Sequence, residues 1–122
     1  MNNSTKQILL MCRQAPYSGH LARAALDAAL ASAVFEQKLC LFFMDDGVWQ
    51  LLGEQQSTEI QRKSITTALD AMPLYDIDTF YVDELSLQQR GLDAAALTGN
   101  IELINQTGLP AFIEGFDQVW SF

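Results

Sequence analysis

The sequence holds little of what usually announces a chemistry. It has two cysteines, Cys12 and Cys40, too few for the disulfide framework of a small secreted domain. Its single histidine, His20, leaves no histidine cluster to hold a metal. The glycines form neither G-x-G-x-x-G nor G-x-x-x-x-G-K-[ST], so a glycine-rich phosphate cradle is excluded. No apolar run approaches the ~20 residues that span a bilayer, which argues against a membrane partner. The polar opening Met1-Asn2-Asn3-Ser4-Thr5-Lys6 lacks a signal-peptide core, and the expected location is the cytoplasm. Basic residues are also scarce: seven against 15 acidic ones, for a formal charge of −8. A nucleic-acid backbone is bound by neutralising it with Lys and Arg, so direct nucleic-acid binding is not expected.

What is present is a globular composition, 49% hydrophobic and 18% charged, in 122 residues. That size suits one domain, spanning 1–122, with a real core. Gln7-Ile8-Leu9-Leu10-Met11-Cys12 is an unbroken apolar run, the pattern of a strand covered on both faces. A polar turn, Arg13 to Gly19, leads to an Ala-rich helix with Ser18 as the expected N-cap. In that helix Leu21, Ala25, Ala28 and Ala29 recur at helical spacing, with Arg23 and Asp27 one turn apart on the wet side. Lys38 to Met44 predicts a second buried strand, and Val48 to Leu52 a short helix closed by Gly53. Thr58 and Gln61 have capping-box spacing before a helix with apolar line Ile65, Ala68, Leu69 and Met72, ended by Pro73.

Thr79 to Val82 reads as a third strand. A helix or turn follows from Glu84 to Arg90, ended by Gly91, and Asp93 could cap a short helix through Leu97. Ile101 to Ile104 predicts a fourth strand, Pro110 the first turn of a helix to about Phe116, and Val119 to Phe122 a fifth strand. The alternation implies an α/β fold: a three-layer α/β/α arrangement around a mainly parallel sheet of about five strands. Sites in such folds gather at the carboxyl ends of the strands.

Four features invite a chemical reading. Asp45-Asp46-Gly47 could be an acidic pocket, but Val48 and Gln50 do not supply the further carboxylates calcium needs. Acids at a helix start account for the pair better. Cys12 lies beside Arg13 near a strand end, where a cation favours thiolate and a persulfide carrier is conceivable; a free Cys in an apolar strand is usually inert packing. Cys40, between Leu39 and Leu41, reads as core. His20 has no partnered Ser or Cys at readable spacing to make it a general base. The residues therefore nominate no catalytic, cofactor or metal set. Leu74, Tyr75 and Ile77 are unusually apolar for a turn, so they either pack on the domain's core or form a subunit interface; the sequence leaves both open.

The blocks Gln14-Ala15-Pro16-Tyr17, Phe42 to Leu52, Leu74-Tyr75-Asp76-Ile77, Ser86 to Leu92 and Phe116 to Phe122 together resemble the DsrE/DsrF family of small sulfur-relay proteins, in its TusC/DsrF-type branch. The match covers nearly the whole chain. It implies a heterohexamer, a dimer of heterotrimers with TusB/DsrH-like and TusD/DsrE-like siblings, passing persulfide sulfur toward 2-thiolation of the tRNA wobble uridine. The similar Dsr complex serves sulfur oxidation instead. In the family the sulfur-carrying cysteine belongs to the D/E-type sibling, just after the third strand and eight residues before the glycine that ends the next helix. The matching position here is Asp83, eight before Gly91, and an aspartate cannot carry a persulfide. The resemblance thus implies a non-catalytic subunit without its own cofactor.

Overall fold

The apolar run at the start of the chain forms β1 (Gln7–Cys12), an interior strand of a sheet completed by β2 (Lys38–Phe43), β3 (Phe80–Asp83), β4 (Ile101–Ile104) and β5 (Gln118–Ser121). The structure is a computed structural model that describes residues 6–15, 21–33, 37–52 and 59–122. Every strand pairing is parallel and the order is β4-β3-β2-β1-β5. A parallel neighbour can only be reached by a crossover, which is why helical segments separate the strands. The order runs outward from β1 to β4 and then returns to the other side of β1. The switch in direction therefore falls between β1 and β5.

Alternation along the strands divides the side chains between two faces. On one face Ile8, Leu10, Leu39, Leu41, Phe43, Phe80 and Val82 form a single buried cluster. It is closed by Ala22, Ala25, Leu26 and Ala29 of α1 (Leu21–Ala33) and by Ile65, Ala68 and Leu69 of α2 (Glu59–Ala71). The alanines let α1 lie close on the sheet, as its spacing predicts, and Arg23 pairs with Asp27 at 2.7 Å on the outer side. On the other face Leu9 and Phe42 are buried. There α4 (Leu109–Glu114) lays Phe112 over the sheet, its ring centroid 5.6 Å from that of Phe42 and 4.9 Å from that of Tyr81. The three-layer expectation holds, with one outer layer thin among the described residues.

The local punctuation follows the side chains. Asp83 caps α3 (Glu84–Gln89), Gly91 takes a φ of +65° just beyond its end, and Asp93 caps a 3₁₀ turn at Ala94–Ala96. Pro73 does not end its helix outright; α2 tightens into a 3₁₀ turn, Met72–Tyr75, that contains it. The segment after β2 is likewise a 3₁₀ helix, Asp45–Leu51, so the short helix expected from Val48 begins three residues earlier. It folds back over the end of β1 so closely that a Cβ on Gly47 would lie 1.8 Å from the Cys12 carbonyl oxygen. The expected caps at Ser18 and Thr58, the stop at Gly53 and the site at His20 lie outside the described residues.

Candidate functional site

The carboxyl ends of all five strands are tied together by one polar network. It begins at Asp83, the last residue of β3, which is only 4% exposed. Its Oδ2 accepts from the Ser86 backbone N–H at 3.2 Å and from the Ser86 hydroxyl at 2.6 Å. The same hydroxyl accepts from the Asp45 backbone N–H at 2.8 Å, linking the end of β2 to that of β3. Gln106, just past β4, donates its Nε2 to Asp83 Oδ1 at 3.4 Å. Past β1, Arg13 donates Nε to Asp45 Oδ2 at 3.2 Å and Nη1 to Ser121 Oγ of β5 at 3.5 Å, while its backbone N–H donates to Phe122 O at 3.0 Å. Arg90 completes the set, donating Nε to Asp46 Oδ1 at 3.1 Å and Nη1 to the Ser86 carbonyl oxygen at 3.2 Å.

Asp45 and Asp46 stand at a helix start, as expected, and take on a further role there. The N-cap is Met44, and no side chain caps the helix. Each carboxylate instead meets a guanidinium brought from another element. Asp45 itself sits at φ +51°, a left-handed position that Asp tolerates better than most residues. Charges of both signs are matched here, which is the signature of a structural tie. A serine hydroxyl bonded to a carboxylate resembles an activated nucleophile, but Ser86 and Asp83 are both buried and the hydroxyl's donor and acceptor roles are already taken.

The two thiols part company. Cys12 is 1% exposed, and burial pushes its thiol from 9.0 up to about 12, so it packs rather than reacts. Arg13, its neighbour in sequence, turns toward Asp45 and Ser121 instead. Cys40 corrects the expectation of a core cysteine. It is half-buried and lines a cleft of about 170 Å³ at the opposite, amino-terminal ends of β2 and β3, with Lys38, Asp76, Asp78, Thr79 and Tyr81. Burial raises its thiol too, and Lys38 partly offsets the rise.

The turn beside that cleft divides the predicted interface trio. Leu74 is 82% exposed and Tyr75 44%, but Ile77 is 3% exposed and belongs to the core cluster. Ile77 therefore packs inside the domain as an anchor, while Leu74 and Tyr75 stand out from it. Sequence reasoning passed over Ser86, Arg90 and Gln106 as site residues. Ser86 had a local signal, a hydroxyl three residues after a capping Asp. Arg90 and Gln106 had none, because the carboxylates they meet lie 44 and 23 positions away.

A parallel five-stranded sheet in this order, with helices on both faces and a hydrogen-bonded polar network across its carboxyl ends, defines a small α/β domain of doubly wound type. Among the described residues no helix is long and apolar enough to cross a membrane. The chain belongs to the DsrE/DsrF-like family, whose profile matches residues 6–122. It is 36% identical to a "Protein TusC homolog" of Pseudomonas aeruginosa over 94% of this chain and 97% of that protein. A "Protein TusC homolog" of Vibrio vulnificus (strain YJ016) is 35% identical over 95% and 98% of the two chains. The fold is also that of the ychN protein of E. coli, whose crystal structure aligns with a TM-score of 0.80 at 23% identity, covering 96% of this chain and 99% of that one.

Proposed function

We propose that this chain is a non-catalytic subunit of a sulfur-relay complex, holding and docking sibling subunits while another chain carries the sulfur. The observation that carries the reading is Asp83. The family resemblance puts a sulfur-carrying cysteine at this position in a sibling; here a buried carboxylate caps α3 and accepts from Ser86 and Gln106. The deeply buried, strongly protonated Cys12 supports it, since a persulfide carrier must present a thiolate to its donor. The names of the relatives favour the thiolation branch, so the proposed output is sulfur for the tRNA wobble uridine in the cytoplasm. The net charge of −8 agrees with sulfur passing between proteins while another component holds the RNA.

Native mass spectrometry of the tagged chain, purified from its own host, tests this. The expected species contains two copies each of this chain and of TusB/DsrH-like and TusD/DsrE-like partners, with alkylatable persulfide on the D/E-type partner only. Recovery of a homo-oligomer alone, or of persulfide on Cys12, would sink the proposal.

A further inference from the structure

The turn after α2 is built to display apolar surface. Met72 and Ile77 are both buried, and the Ile77 N–H donates to the Met72 carbonyl oxygen at 3.1 Å, so the segment between them is pinned at each end. Pro73 fixes one φ, and Asp76 closes the 3₁₀ turn from the left-handed region at φ +67°, its N–H donating to the Pro73 carbonyl oxygen at 3.2 Å. Leu74 and Tyr75 are thereby held outward. A leucine 82% exposed on a pinned turn contributes nothing to folding that a polar residue would not. A preformed turn also loses little conformational freedom on docking.

The charge around the turn indicates what it docks on. Asp70, Asp76 and Asp78 are all exposed, and none forms a salt bridge among the described residues. Asp76 and Asp78 also line the neighbouring cleft, where Lys38 is the single basic residue among the lining side chains. A second copy of this chain would bring the same carboxylates face to face across a two-fold axis, on molecules of charge −8. We infer that Leu74 and Tyr75 form a preformed apolar knob that docks a partner chain through a hydrophobic pocket rimmed by lysine or arginine. The inference rests on the relay-subunit reading and names the chemistry of the surface that a sibling must present.

The test is affinity for the two purified siblings from the same host, measured at low and at physiological salt. Leu74→Ala should raise Kd on the order of 30-fold, the range of a buried anchor. Asp76→Asn with Asp78→Lys should weaken binding at low salt and flatten its salt dependence, since rim charges act by attraction that salt screens. Asn is chosen at position 76 because it tolerates the left-handed backbone. Unchanged urea midpoints in all variants would confirm that the fold is untouched. A wild-type complex indifferent to both sets of changes overturns the knob and leaves the subunit reading standing. No complex from the wild type overturns both. Dimerisation of this chain once its carboxylates are removed would make the partner a second copy and overturn the basic rim.

Discussion

Gly47 and Cys12 show how much one residue can be constrained by another far along the chain. The 3₁₀ helix crosses the end of β1 with no room for a methyl group at position 47, because the Cys12 carbonyl oxygen is there. Gly47→Ala should therefore cost about 2–3 kcal/mol, read as a lower urea midpoint at unchanged slope. Cys12 makes a second prediction through its proton. The folded thiol titrates near 12 against 9.0 for an unburied one, so above 9.0 the unfolded chain releases a proton the folded chain keeps. The stability this provides is whole below that pH and falls as pH rises, by up to about 1.4 kcal/mol per unit. Cys12→Ala should flatten the alkaline decline relative to wild type in urea titrations across that range. In the native protein at mildly alkaline pH, iodoacetamide should label Cys40 and spare Cys12, which peptide mapping would read directly.

At the scale of an element, α3 is the segment that depends most on its cap. It has six residues, too few to persist on propensity alone, and its first turn is satisfied by Asp83. Asp83→Ala would leave the Ser86 N–H and hydroxyl without their acceptor in a buried place, at a cost of about 1–3 kcal/mol. Asp83→Asn keeps an acceptor oxygen and should lose less. Hydrogen exchange over residues 84–89, alongside urea unfolding, separates a frayed α3 from a general loss of stability. The helical run after Asp83 was legible; that Asp83 caps it, and does so while buried, was not. The segment after β2 was legible as helical, but its 3₁₀ form follows from packing against β1. Nothing local distinguishes the two.

For the molecule as a whole, β1 sits between β2 and β5, so the last strand pairs with the first. The chain end is part of the core sheet through this pairing, and Trp120 packs against the main cluster. Trp49 lies instead on the 3₁₀ helix after β2. If 1–122 is one cooperative domain, fluorescence of the two tryptophans and far-ultraviolet circular dichroism should trace a single coincident urea transition. An earlier fluorescence change that Trp49→Phe leaves in place would mean that β5 detaches as a separate unit.

Several things were determined by the sequence alone, because each is a local matter of side-chain shape and periodicity. The unbroken apolar runs set β1 and β2 as covered strands, the spaced alanines set α1 against the sheet, and the alternation of strand and helix set a parallel α/β fold. The scarcity of basic residues set an acidic surface. Only the tertiary structure decided where those pieces meet. It placed Arg13 and Arg90 opposite Asp45 and Asp46, put Asp83 at the centre of a closed polar edge, opened Cys40 onto a cleft, and split the Leu74–Ile77 turn into an exposed knob and a buried anchor. Each of these depends on contacts between residues distant in sequence, and strand order, which periodicity does not encode, brings them together.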